Sequence, residues 1–191
     1  MPTVDLNPSS TVSNNWTVSS GTADAVLSDS SVTTHIRTPN QGRLCVVELD
    51  DYSAGGTISS IRFGVSGYLF LTRGADTDIS VKLLDSSGST YYTETVTLNF
   101  NGYVAQDHYG TARTTHDGSS AWDDTKLDDL RLSIDTIPED PSGSSQATVV
   151  KAWVEVTYLT GYGNAVNGIT SASISKVNGI ATADISKVNG I

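Results

Sequence analysis

The sequence predicts an all-β protein, a jelly-roll-like antiparallel β-sandwich followed by a C-terminal extended repeat arm. From Trp16 to Leu159 the dominant hydrophobic period is two, the signature of strands with one wet face. The runs are punctuated by "DYSAGG", "RGADTD", "DSSGS" and "PEDPSGSS", turn clusters in which Gly supplies positive φ and Asp or Ser folds back on its own backbone. Apolar residues make up 37% and aromatics 7% of the 191 residues, as expected where strands alternate an apolar with a Ser or Thr side chain. That length suits one sandwich with an appendage. We therefore expect an N-terminal segment at 1–11, the sandwich at 12–160 and the arm at 161–191.

The strands follow in order. "THIRT" around Ile36 and "RLCVVEL" from Arg43 to Leu49 come first, then the long run "TISSIRFGVSGYLFLTR", broken around Gly67. In "DISVKLLD" Ile79, Val81 and Leu83 face one way, with Asp78, Ser80 and Lys82 opposite. "YYTETVTLNF" has Val96, Leu98 and Phe100 as its apolar set. "AWDDTKLDDL" alone looks helical, with Asp123 or Asp124 as cap and Leu127 and Leu130 inward, and Trp122 plugs an end of the sandwich. "LRLSIDT" then buries Leu130, Leu132 and Ile134, and "TVVKAWVEVTYL" buries Val150, Ala152, Val154, Val156 and Tyr158. Seven or eight strands at this spacing make a two-layer sandwich or jelly roll.

Twenty-one acidic against eleven basic residues give a net charge of −10, which repels a phosphate backbone and argues against nucleic acid as a partner. The lone Cys45 lies in an apolar run and reads as a small buried hydrophobe. The N-terminus lacks the basic start and apolar block of a signal peptide, and no stretch approaches the roughly 18 apolar residues of a membrane span. The expectation is a soluble chain made in a cytoplasm, with no membrane partner.

His35, His108 and His116 stand at no metal-binding spacing, there is no GxSxG or P-loop, and no paired carboxylates mark a glycosidase, so no catalytic, cofactor or metal residue is expected. The acidic loops at 74–78, 117–124 and 136–140 lack the spacing of a calcium loop and read as solubilising turns. Tyr91, Tyr92, Tyr103 and Tyr109 lie close enough in sequence to suggest a surface on which sugars stack. The alternative is that Tyr92 or Tyr103 fills the core with its hydroxyl at the rim.

The arm repeats one phrase. "VNGI" falls at Val166–Ile169, Val177–Ile180 and Val188–Ile191, a step of eleven residues. Asn-Gly between β-branched neighbours is a strong signal for a two-residue hairpin turn, so Asn178-Gly179 would pair Val177 with Ile180, Ile174 with Ala183 and Ala172 with Ile185. Such a ribbon buries too little to hold itself and needs an outside edge, in a neighbouring chain or on its own sandwich. The expected interface residues are Val166, Asn167, Gly168, Ile169, Ile174, Val177, Asn178, Gly179, Ile180, Ile185, Val188, Asn189, Gly190 and Ile191.

With "SNNWTVSSG", "GTISSIRFGVSGYLFLTR", "AWDDTKLDDLRLSIDT", "VVKAWVEVTYL" and the "ISKVNGI" repeats together, residues 12–191 resemble virion structural proteins of tailed bacteriophages. The resemblance implies a non-enzymatic particle component, a capsid decoration, neck, collar or tail accessory protein. It would be assembled in the host cytoplasm as a homo-oligomer docked on other virion proteins, with the arm bridging neighbours. The alternative expectation is a virion-borne, glycan-binding sandwich module.

Overall fold

The computed structural model describes residues 1–29, 31, 33–38, 42–70, 77–99, 103–137, 146–159, 176–177 and 180–181. Strands β1 (Thr3–Leu6), β3 (Thr17–Val18), β4 (Ile36–Thr38), β6 (Thr57–Phe70), β9 (Gln106–Tyr109) and β11 (Gln146–Leu159) form one antiparallel sheet. β11 is its spine: β6 pairs along one side, while β4 and β1 share the other, with Arg37 opposite Thr148 and Asp5 opposite Glu155. The second sheet runs β2 (Pro8–Asn14), β5 (Leu44–Leu49), β10 (Arg131–Thr136), β7 (Thr77–Leu84), β8 (Thr90–Leu98). The two sheets enclose one core, as the all-β sandwich expectation requires.

Alternation sets what each strand buries. Ile79, Val81, Leu132 and Ile134 are at most 1% exposed, and Cys45, in phase with Val47 and Leu49, is sealed among them. Burial pushes the Cys45 thiol up to about 12, so it stays protonated and unreactive. In β11 a bulge between Val149 and Lys151 resets the phase. Ala147 and Val149 therefore join the core before it, and Ala152, Val154 and Val156 after it, where the sequence placed Val150 in a single unbroken set.

Two expectations need correction, and one strand is new. Residues 1–11 are not a separate segment, because β1 pairs with β11 and β2 with β5, bringing Leu6 to 2% exposure. A helix that the sequence did not suggest, α1 (Ala23–Ser28), buries Ala23, Val26 and Leu27 at i, i+3 and i+4. The polar stretch around His108 is a strand, β9, pairing with β6 at the sheet edge.

The expected helix is present as α2 (Asp124–Asp128), where the Asp123 carboxylate caps it by accepting from the Lys126 amide, and Leu127 and Leu130 are buried. Trp122 before it is 4% exposed and donates its indole N–H to the Arg113 carbonyl at 3.1 Å. Beyond the sandwich, β12 (Lys176–Val177) and β13 (Ile180–Ala181) pair antiparallel, with Val177 opposite Ile180 as the Asn-Gly signal predicts.

Candidate functional site

The six-stranded sheet turns a second face outward. On β6, Ile61, Phe63, Val65 and Leu69 point into the core, so the alternate positions Arg62, Gly64, Ser66, Tyr68 and Phe70 point away from it. Strand pairing sets these in rows. Lys151, Ser66 and Asp107 form one; Trp153, Gly64 and Tyr109 the next; Glu155 and Arg62 the next; and Arg37, Thr148 and Tyr68 lie toward the other end.

Gly64 shapes the middle of this face. A Cβ there would lie 2.2 Å from Cε2 and Cζ2 of Trp153, so only glycine lets the indole lie down on the strand. The indole is 4% exposed although it is outside the core, because Tyr109 meets it edge-on at 5.6 Å and the Lys151 ammonium lies 4.7 Å over its ring. Tyr109 is itself 48% exposed, with the Arg62 guanidinium 4.3 Å over one face, and Arg62 Nε donates to Glu155 Oε1 at 2.8 Å.

A second aromatic group occupies the far end. Tyr103, also 48% exposed, meets Tyr68 edge-on at 6.2 Å and Phe70 at 5.1 Å, and Arg37 lies 4.4 Å over the Phe70 ring. Tyr103 has φ 65°, a left-handed conformation costing a bulky residue about 1–2 kcal/mol, so the chain holds this ring out against a backbone preference. From the Gly64 row to the Tyr68 row is four residues of β6, about 13 Å. The row between the two aromatic ends carries Lys151 and Asp107, with Arg37 at one end and Arg62 and Glu155 beyond the other, while Ser66 and Thr148 are buried; exposed rings flanked by such charges suit a long ligand with apolar faces and many hydroxyls.

The other tyrosines serve a different edge. Tyr92 is partly buried, packs against the core and donates its hydroxyl to the Thr115 carbonyl. Tyr91 packs edge-on to Trp122 at 5.5 Å. Between them and β9, Glu94 accepts from the Thr111 amide at 3.0 Å and from Arg113 at 2.7 Å, closing the gap between the sheets. Burial pushes the Glu94 carboxyl up, but the Thr111 amide and Arg113 outweigh it and leave it below its ordinary value.

His116 packs beside Trp122 at 5.8 Å, His108 lies on β9 opposite Val65, and His35 beside β4 donates its amide to Ser19 Oγ, so the three imidazoles are dispersed. Among the described residues no three His, Cys, Asp or Glu side chains gather as metal ligands. In the 117–124 loop, Asp117 accepts from the Ser119 and Ser120 amides and Asp123 caps α2, so these carboxylates organise their own turns. Of the expected interface, only Val177 and Ile180 fall within the described residues, where they pair with each other; Val166, Asn167, Gly168, Ile169, Ile174, Asn178, Gly179, Ile185, Val188, Asn189, Gly190 and Ile191 lie outside them.

Sequence reasoning missed Trp153, Gly64, Arg62 and Lys151. One signal was present: Trp153 falls on the wet phase of β11, where a large ring needs a reason to be, and Gly64 stands in the matching phase of β6.

No protein-family model matches this sequence, and no curated protein does. Among solved structures the chain is similar to the Agl-KA catalytic domain, at 11% identity and TM-score 0.46, covering 87% of this chain and 29% of that one. It is similar to the catalytic domain of a GH87 α-1,3-glucanase in complex with nigerose, at 12% identity and TM-score 0.42, covering 87% and 30%. A third, described as "CBM4 structure and function", has 11% identity and TM-score 0.37, covering 75% and 79%. The chain spans about 30% of the two catalytic domains.

These neighbours correct two expectations. The structural component of a phage particle finds no counterpart among them: those named are catalytic domains and a carbohydrate-binding module. The expectation that the chain is not an enzyme does not stand either, since enzyme domains are among the same structures, whose likeness says nothing of activity in this chain. At this distance the likeness extends to the sandwich architecture alone, and a functional reading rests on the residues of the face.

Proposed function

We propose that the chain is a glycan-binding β-sandwich module that lays a saccharide chain along the outer face of its six-stranded sheet. The observation that carries this is the pair of tyrosines, Tyr103 and Tyr109, each 48% exposed, at the two ends of one face. A sugar ring presents C–H groups on its faces and hydroxyls around its rim. The phenol rings offer apolar surface to the first, while Arg62, Lys151, Glu155 and Asp107 offer donors and acceptors to the second. The backbone strain at Tyr103 supports the same reading, because such strain persists where a ligand-contacting group must be held in place.

Screening the full chain on a broad glycan array, followed by calorimetry on the best saccharide, tests this. Tyr103→Ala and Tyr109→Ala should each weaken binding by at least about tenfold, as truncating an aromatic anchor does. Both rings are half exposed, so the variants should unfold within about 0.5 kcal/mol of wild type. A wild-type chain that binds no saccharide, or a double variant with unchanged affinity, refutes the proposal.

A further inference from the structure

We infer that the saccharide this face takes is anionic, with its carboxylate or sulfate groups held by Arg37 and Lys151; this rests on the glycan-binding reading and names its ligand class. Three basic side chains lie on the face, and each is stacked on an aromatic ring: Arg37 on Phe70, Arg62 on Tyr109 and Lys151 on Trp153. They are not equivalent. Arg62 spends its guanidinium edge on Glu155 at 2.8 Å, whereas among the described residues no carboxylate pairs with Arg37 or Lys151.

Stacking matters to what these groups can do. A guanidinium lying flat on a ring is fixed in orientation and keeps its N–H edge pointing sideways, which is the geometry that takes an oxyanion in a two-point hydrogen bond. An ammonium over an indole is likewise held in position with donors to spare. Strand pairing puts Arg37 opposite Thr148, in the Tyr68 row, and Lys151 in the Ser66 row, so their backbones are two residues of β6, about 7 Å, apart along the face, and their charged heads lean away from each other onto Phe70 and Trp153.

Charge is also divided across the face. Asp5 and Glu155 are neighbours at the β1 end, Asp107 shares the Lys151 row at the β9 edge two strands away, and Arg37 stands at the Tyr68 and Phe70 end. In a chain of net charge −10, two cations held by rings and, among the described residues, by no carboxylate fit a negative group supplied from outside.

The test uses the full chain and two matched pairs of probes: polygalacturonate against its fully methyl-esterified form, and dextran sulfate against dextran, measured by calorimetry. The first pair presents carboxylate and the second sulfate on an otherwise shared backbone. At least one charged member should bind at least about tenfold more tightly than its neutral counterpart. Lys151→Gln and Arg37→Gln should each weaken that binding by about tenfold and weaken any binding of the neutral member by much less.

Neutral members binding as tightly as charged ones overturn the inference, as do two Gln variants with wild-type affinity, or no binding to any of the four probes. Neutral binding that Tyr109→Ala abolishes would refute the anionic ligand and leave the glycan-binding proposal standing. Both proposals fall if the glycan array is also blank, or if the double tyrosine variant binds as wild type does.

Discussion

On the five-stranded sheet the outward side chains close on one another. Arg131 donates to Glu48 at 2.8 Å, Glu48 also accepts from Ser10 at 2.7 Å, and Lys82 reaches toward Asp135 at 3.9 Å, while Ser133 between these pairs is 1% exposed. On the six-stranded sheet rings stand among the outward side chains and three cations lie on them, of which Arg62 also pairs with Glu155. The strand alternation is the same on both. A face that has only to meet water is served by short polar groups that satisfy each other. The exposed Tyr109 ring, and the exposed Tyr103 ring on its strained backbone, serve neither solubility nor the core, and the contrast supports the six-stranded sheet as the proposed binding face.

Trp153→Ala probes the contrast most strongly. If the indole is the floor of a built surface, removing it opens a void beneath Tyr109 and Lys151 and should cost about 3 kcal/mol, in the range of large-to-small changes at closed sites. For a chain of this size that lowers the melting temperature by about 6–12 °C, readable by calorimetry. A loss below about 1 kcal/mol would mean that the ring only rests on the sheet, and the two faces would then differ less than the geometry indicates.

Gly64→Ala sharpens the same point from the opposite side. The added methyl would meet the indole at 2.2 Å, so either Trp153 lifts or β6 shifts, and overpacking of this kind costs about 1–3 kcal/mol. Saccharide binding should fall together with stability, because Tyr109 rests on the indole that moves. An unchanged melting temperature would show that the indole relocates freely.

How much of this was legible follows from whether the information is local. The buried phases of β7 and β10 could be read directly, because period-two burial is written along each strand. The pairing of Val177 with Ile180 could be read because a two-residue turn fixes its own register. The bulge at Val150 could not, since it arises from the fit of β11 to β6 and not from either strand alone. Edge strand β9 and the N-terminal strands lack a strong apolar alternation, and six-residue α1 is too short for helical periodicity to stand out. The site divides the same way. Tyr103 and Tyr109 are near neighbours in sequence, whereas Arg62 and Glu155 are 93 residues apart and meet only through strand pairing.

The smallest expected effect separates the faces by acid. The Ser10 hydroxyl and Arg131 hold the Glu48 carboxyl below its ordinary value of 4.5, so the folded chain takes up that proton less readily than the unfolded one. The stability Glu48 contributes is therefore fully present above about pH 4.5 and is lost as pH falls through the lowered folded value. The carboxylate is 45% exposed, so solvent screening limits the contribution to under about 1 kcal/mol, or a few degrees of melting temperature. The melting difference between wild type and Glu48→Gln should then be largest near neutral pH and shrink toward zero on acidification. The Lys151 ammonium contacts a ring and, among the described residues, no carboxylate, so the difference between wild type and Lys151→Gln should stay flat across the same titration. If the Glu48→Gln difference also stays flat, ion pairing is not what stabilises the five-stranded face, and the two faces are held by the same kind of contact.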